Sequence, residues 1–410
     1  MEPFHTIKQC RLCDSHELLD IIDFGPTPIA DILCDSPHDE ILKIPLSLGF
    51  CHNCSLVQIL ETIDPDIVFN NDYPYYSSVS PRLMQYFKDS AFNIIDLRKL
   101  DTESKVIEVG SNDGYMLKHF KENGIQVLGV DPSGPAIVAK NNGIPTIQKF
   151  FSKSLAKEIR NDHSEGFDVL LANNVLAHDA NINGVIEGIS IVLKDSGMAV
   201  IEVPYLKELI SNSEFDTIYH QHIFYFSLTS LQEAFTKYKL YINDVEQTDL
   251  HGGSLRLFIE KNENPQQRFV TMLEDEKALG VSGVDYYTSF NHHSVQIKQG
   301  INALLNELKA QGKRIAGYGA AAKGVTFLAF TGLNHEDLEY VVDLSIHKQG
   351  KHLPGSGIPI MPVEKLIDDF PDYVLILAWN FKDEIIQQQS EYLRKGGKFI
   401  VAIPQLEIIG

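Results

Sequence analysis

The stretch Lys105-Val-Ile-Glu-Val-Gly-Ser-Asn-Asp-Gly-Tyr-Met-Leu117 decides how this chain of 410 residues is read. Val106, Ile107 and Val109 make a short buried strand that ends in a glycine-rich turn and runs into a helix. Gly110 removes the side chain where backbone must pass close to a ligand, and Gly114 eases the bend into the helix. A second apolar strand, Gln126 to Val130, ends in Asp131. A carboxylate at that tip accepts two hydroxyl protons at once, which is what a ribose diol needs. A glycine-rich turn alone is merely an α/β bend. The order strand, turn, helix, strand, aspartate points instead to a bound nucleoside.

The turn selects the nucleoside. A dinucleotide fingerprint sets glycines and a helix N-terminus against a pyrophosphate. Here Glu108 precedes Gly110, and Asn112 and Asp113 separate it from Gly114. Acidic groups repel a pyrophosphate and suit a cation with an amino-acid head, namely S-adenosylmethionine. The pattern E-x-G-x-N-D-G resembles motif I of the Rossmann-like methyltransferases that use this donor.

Composition is that of a globular protein, 44% apolar and 22% charged, with a formal net charge of −20. That charge argues against nucleic acid or an anionic membrane surface as partner. No apolar run reaches the roughly 20 residues of a transmembrane helix, and the start has no secretory apolar core. A cytoplasmic protein is expected. Cys10-x-x-Cys13 and Cys51-x-x-Cys54 present two pairs of thiolates, which together close a tetrahedral zinc site. Redox C-x-x-C motifs occur singly beside a helix N-terminus, so a disulfide is the weaker reading. Four thiolates leave no open position for water, so the zinc is expected to be structural. Cys34 reads as a small buried apolar group. The Pro-rich Gly25 to Pro28 and the apolar Ile44 to Leu48 suggest short strands and turns.

An aromatic connection, Asn71 to Ser78, and an amphipathic helix from Ser80 to about Lys99 lead into the Lys105 strand. Further strands are expected at 145–150, 167–172, 197–203, 245–248 and 255–260. This is a doubly wound sheet with an antiparallel edge, and its ligands lie beyond the carboxyl ends of the strands. Asn173 to His178 falls there. So does the insertion from Phe215 to Ser227, which brings Tyr219, His220, Gln221, His222 and Tyr225 to the donor end. Zinc ligation by His220 and His222 lacks further nearby ligands. A neutral imidazole acting as general base fits better, because its pKa is close to working pH. The last third repeats the α/β theme. Lys313 to Gly324 is a strand entering a Gly/Ala-rich turn with Lys323, suited to a phosphate or simply a structural half-sheet. His347 to His352 is a basic loop, either solvated or part of the same anion site.

With these motifs in view, the chain resembles the nucleotide-sugar C-methyltransferases of deoxysugar pathways. The resemblance covers nearly the whole chain. It rests on the two cysteine pairs, DYPYYSSVS (72–80), EVGSNDGYML (108–117), NNVLAH (173–178), YHQHIFYFS (219–227), HGGSLR (251–256) and GYGAAAKG (317–324). It implies a zinc-binding domain at 1–77, a Rossmann-like methyltransferase domain at 78–262 and a C-terminal Rossmann-like domain at 263–410. It also implies a dTDP-linked or similar keto-deoxysugar held between the last two, methylated through a base-generated enolate, commonly at C3. A monomer is favoured. On the family pattern His222 is the base, Tyr219 a partner of the sugar or enolate, His178 a further active-site histidine and Tyr76 a lining of the sugar pocket. Gln221 stands where the family usually carries glutamate. Glu108, Gly110, Asn112, Asp113, Gly114, Asp131 and Asn173 are the candidate donor-site residues, and Lys323 with Tyr76 the candidate substrate contacts. Two other readings stay open: a nicotinamide-dependent nucleotide-sugar oxidoreductase using Gly317 to Gly324, and a catalytically lapsed sugar-nucleotide binder marked by Gln221.

Overall fold

A computed structural model of the chain describes residues 4–64, 67, 77–79 and 81–410. Tyr76 lies outside the described residues. The N-terminal part holds strands β1 (Phe4–Thr6), β2 (Leu18–Pro28), β3 (Lys43–Cys51), β4 (Val57–Ile59) and β5 (Glu61–Ile63). The expected short strands are in fact long, 11 residues in β2 and 9 in β3. Pro26 and Pro28 are tolerated because β2 is an outer strand of its sheet and its register slips between Asp23 and Pro26. An edge strand has spare positions without an N–H.

The two cysteine loops meet as the spacing requires. The four sulfurs of Cys10, Cys13, Cys51 and Cys54 lie within 4.8 Å of one another. Cys10 to Cys54 and Cys13 to Cys51 are each 3.6 Å. A tetrahedron of Zn–S bonds near 2.3 Å has edges of about 3.8 Å, so the thiols are already gathered at the size of a zinc site. Gln58 Nε2 donates to Cys10 Sγ at 3.1 Å, and its Oε1 accepts from Arg11 Nη1 at 3.1 Å. Cys34 is buried and outside the cluster.

The central part contains β6 (Lys105–Val109), β7 (Gln126–Val130), β8 (Thr146–Ile147), β9 (Phe167–Asn173), β10 (Leu193–Pro204), β11 (Phe224–Tyr225), β12 (Tyr241–Thr248) and β13 (Ser254–Glu260). Among the described residues its sheet runs β12-β13-β10-β9-β6-β7-β8, parallel except that β13 opposes both neighbours. Alternate residues feed two cores. Val106, Val169, Leu171 and Val200 face the helix Pro81–Arg98, while Ile107, Leu170, Ala172 and Ile201 face the rest of the molecule. From β6 the chain winds out to β7 and β8, then returns to build β9 and β10 on the other side, so a crevice opens at the carboxyl end of β6.

β11 does not belong to this sheet. Phe224 pairs with Gln58 and Tyr225 with Val57, which makes β11 the outer strand of the N-terminal order β11-β4-β3-β2. The histidine–tyrosine segment thus leaves the central part to complete the cysteine-bearing one. The C-terminal sheet, β16-β15-β14-β17-β18-β19, comprises β14 (Ile315–Tyr318), β15 (Val341–Val342), β16 (Ile360–Met361), β17 (Tyr373–Ile376), β18 (Lys398–Val401) and β19 (Glu407–Ile409). One continuous apolar core runs through all three parts. Cys34 and His352 exchange backbone hydrogen bonds of 3.0 and 2.8 Å, tying the first part to the last.

Because the thiolates anchor the β3–β4 hairpin, Cys54→Ser should lower bound zinc from near one per chain to background and cut the melting temperature by several degrees. Elemental analysis and calorimetry read both. Unchanged zinc content would show that the ion sits elsewhere.

Candidate active site

A cavity of about 510 Å³ opens at the carboxyl end of β6 and is lined by all three parts of the chain. At one end is the turn after β6. Gly110 has φ +68° and touches the cavity; a Cβ there would lie 2.3 Å from Val175 Cγ2. Asn112, also left-handed at φ +47°, donates its backbone N–H to Asp131 Oδ2 at 2.9 Å. Asp131 Oδ1 accepts from the backbone N–H of Ser133 at 2.8 Å and from its hydroxyl. The carboxylate is therefore held rigid, with lone pairs left for a ligand hydroxyl. Asn173 lines the same end and donates from Nδ2 towards Glu108 Oε1 at 3.5 Å.

The other members of the turn stand behind the wall. Glu108, Asp113 and Gly114 are not among the cavity-lining residues. Glu108 is fully buried, and burial pushes its carboxyl well above the usual range. Gly114 leaves room for Ile144, whose Cγ1 would be 3.0 Å from an added Cβ. These residues shape the turn; Gly110, Asn112, Asp131 and Asn173 face the cavity.

Next to the β6 turn sit two imidazoles and a phenol. His178 follows β9 on the turn Leu176–His178, and Tyr219 and His222 lie just ahead of β11. The His178 and His222 rings are 4.9 Å apart, and Tyr219 stacks obliquely on His222 at 4.1 Å. His222 Nδ1 lies 3.3 Å from the Thr217 carbonyl, which can only accept. In the neutral ring the hydrogen is accordingly assigned to Nδ1, leaving Nε2 to accept from the Tyr219 hydroxyl at 2.8 Å. His178 Nδ1 donates in the same way to the Gln221 carbonyl at 2.7 Å. Burial drives the His178 pKa down to about 4, so this ring is neutral at working pH. With His178 neutral, no imidazolium stands 4.9 Å from the His222 ring.

The far wall comes from the C-terminal part. Lys323, one residue into the helix Ala322–Thr331, donates to Asn380 Oδ1 at 2.9 Å and lies 4.2 Å from the Trp379 ring centre. Burial lowers its pKa, opposed by the nearby carboxylates of Asp216 and Glu214. Trp379 Nε1 in turn donates to Asp216 Oδ2 at 2.8 Å. Asp343 mirrors Asp131: its Oδ2 accepts from the Ala320 N–H of the turn after β14 at 2.7 Å, and its Oδ1 from the Ser345 N–H at 2.8 Å.

Comparison with known families follows the same three parts. Residues 10–69 match a family described as "Putative zinc binding domain", 83–244 one described as "Methyltransferase domain", and 249–404 one described as "C-methyltransferase C-terminal domain". The C-methyltransferase NovU of Streptomyces niveus is 36% identical over 98% of this chain and 97% of its own length. The chain is a member of the C-methyltransferase family. A ubiquinone biosynthesis O-methyltransferase of Rhodopseudomonas palustris is 24% identical over 30% of this chain and half of its own. The crystal structure of magnesium protoporphyrin IX methyltransferase from Synechocystis PCC 6803, at 12% identity, aligns with a TM-score of 0.34 over 44% of this chain and 83% of that one.

The family membership sets aside the oxidoreductase reading of Gly317 to Gly324. The other members of the histidine–tyrosine segment of this C-methyltransferase fall in different places. His220 turns away from the cavity, its Nε2 3.2 and 3.1 Å from the carbonyls of Ile44 and Pro45 in β3. Among the described residues the four cysteines are the one cluster able to hold a metal ion. Gln221 is buried and aims its Nε2 at Asp31 Oδ2, 3.4 Å away. Asp31, Glu214, Asp343 and Asn380 line the cavity, yet each stands in sequence with no local pattern around it, whereas Lys348, which also lines it, comes from the basic loop His347 to His352.

Gly110→Ala should weaken binding of S-adenosylhomocysteine at least about tenfold by calorimetric titration, roughly 1.4 kcal/mol, since the added methyl meets Val175. Undiminished affinity would put the nucleoside elsewhere. His178 carries a pH consequence. Its folded pKa of about 4 lies below the ordinary value of 6.5, so the unfolded chain binds the extra proton. Stability should thus fall as pH drops from about 6.5 towards 4, and His178→Asn should flatten that stretch of the profile.

Proposed function

We propose that this C-methyltransferase transfers a methyl group from S-adenosylmethionine to the carbon beside the ketone of a nucleotide-linked keto-deoxysugar, C3 on the family pattern, in the cytoplasm. The observation that carries the reading is the Tyr219–His222 pair, 2.8 Å apart, in the same cavity as Gly110 and Asp131. Gly110, Asn112, Asp131 and Asn173 fit the donor, with Asp131 on the ribose. When bound there, S-adenosylmethionine supplies an electrophilic methyl on a sulfonium.

The residues of the chain do the rest. As substrate enters, its ketone oxygen replaces His222 Nε2 as acceptor of the Tyr219 hydroxyl. That frees the Nε2 lone pair beside the adjacent C–H. His222 takes the proton, the C–H electrons form the enolate, and Tyr219 donates to the developing oxyanion. With the donor held by Gly110, Asn112, Asp131 and Asn173, the enolate carbon would take the methyl and the S–C electron pair would stay on the sulfur as S-adenosylhomocysteine. His178, neutral, keeps positive charge away from the base. Lys323 sits beside two carboxylates, Asp216 and Glu214, which offset its charge and disfavour a diphosphate. It reads better as a hydrogen-bond donor to the sugar than as a phosphate ligand.

Incubation with S-adenosylmethionine and a panel of keto nucleotide-sugars should yield a product heavier by one methyl. Donor hydrolysis alone across the panel would instead favour a lapsed relative. His222→Asn should lower turnover by roughly 10²–10⁴-fold while S-adenosylhomocysteine affinity stays within twofold. Full activity in that variant would remove His222 as base.

A further inference from the structure

Asp31 is the cavity carboxylate that the protein itself holds most loosely. Asp131 and Asp343 each have both oxygens engaged by backbone amides. Asp179 Oδ1 accepts from the Asn181 N–H at 2.8 Å, and Glu214 Oε1 from Asn212 Nδ2 at 3.1 Å. Asp31 instead receives a long hydrogen bond from Gln221, 3.4 Å, on a single oxygen. The residue is nevertheless fixed in place. Ile29 and Ala30, directly before it, are 1% and 2% exposed and pack into the core after β2. Its surroundings are desolvating, which raises the carboxyl pKa, and the facing Lys348 works against that rise. A partly desolvated carboxylate with an open oxygen in a ligand cavity is costly unless the ligand pairs with it.

Its position identifies that ligand group. Gln221, which aims at Asp31, accepts from His178 through its own carbonyl, and His178 is 4.9 Å from His222. Asp31 therefore borders the reacting end of the cavity, not the donor end. We propose that Asp31, from the cysteine-bearing N-terminal part, is a substrate-binding carboxylate that pairs with a hydroxyl or ammonium substituent on the sugar ring. The proposal rests on the sugar-methylation reading above. It also accounts for Gln221, whose uncharged amide orients the Asp31 carboxylate without repelling it.

The test measures binding, so that it stands apart from turnover. A dTDP-linked 4-keto-6-deoxyhexose, counterparts lacking one ring hydroxyl each, and a 3-amino counterpart are titrated into the zinc-loaded protein with S-adenosylhomocysteine present. Asp31→Asn should weaken the parent sugar roughly tenfold to a hundredfold, as expected for a hydrogen bond to a charged group. Zinc content and S-adenosylhomocysteine affinity should stay at wild-type values. For one deoxy counterpart the two proteins should bind alike, which names the hydroxyl; a larger loss for the amino sugar assigns the ammonium instead. An equal loss for every probe, no loss for any, or failure of the wild type to bind the panel overturns the proposal. Binding with the predicted selectivity but no methyl transfer would leave Asp31 standing and sink the sugar-methylation reading.

Discussion

The pairing of β11 with β4 is the contact on which the active site depends. Two residues of the histidine–tyrosine segment, Phe224 and Tyr225, are stitched to Gln58 and Val57, and Ile223 is tied to Ala177 by a 2.6 Å backbone bond. Gln58 is also the residue that donates to Cys10 Sγ. One glutamine thus links the thiolate cluster to the strand that follows His222. Zinc in that cluster needs no open coordination position to matter for the cavity, since it sets the hairpin against which the histidine–tyrosine segment is laid.

Electrostatics then decides what the cavity can do. The chain carries a strong net negative charge, yet close to His222 two groups are uncharged: His178 stays neutral through burial, and Gln221 is an amide. An imidazole gains a proton more easily where no neighbouring cation opposes it. Further along, Lys323 is balanced by Asp216 and Glu214, with Trp379 bridging to Asp216 and stacking on the ammonium. Such balanced groups bind through direction and donor count rather than through net charge.

What the sequence revealed was what is local in the chain. The strand, turn and tip aspartate from Lys105 to Asp131 read correctly because hydrophobic alternation and glycine placement act over a few residues. The cysteine pairs read correctly because two loops of fixed span suffice for a tetrahedral ion. Within the β6 turn, however, the pattern could not separate Gly110 and Asn112, which face the cavity, from Glu108, Asp113 and Gly114, which support it from behind. That distinction depends on Ile144 and Val175, which are remote in sequence. The same limit hid Asp31, brought towards the histidines by folding alone. It also hid the acids around Lys323, whose presence changes what that lysine can hold. The long edge strand β2 went unread because Pro26 and Pro28 look like turn residues until an outer strand makes room for them.

A single cavity whose walls come from the first, middle and last thirds of the chain has a thermodynamic consequence. Any molecule long enough to reach Asp31, Asp131 and Lys348 touches all three at once, and its binding energy is lost if any one of them opens. The occupied protein is therefore more cooperative than the empty one: three bodies that share a core but differ in topology melt as one unit when filled.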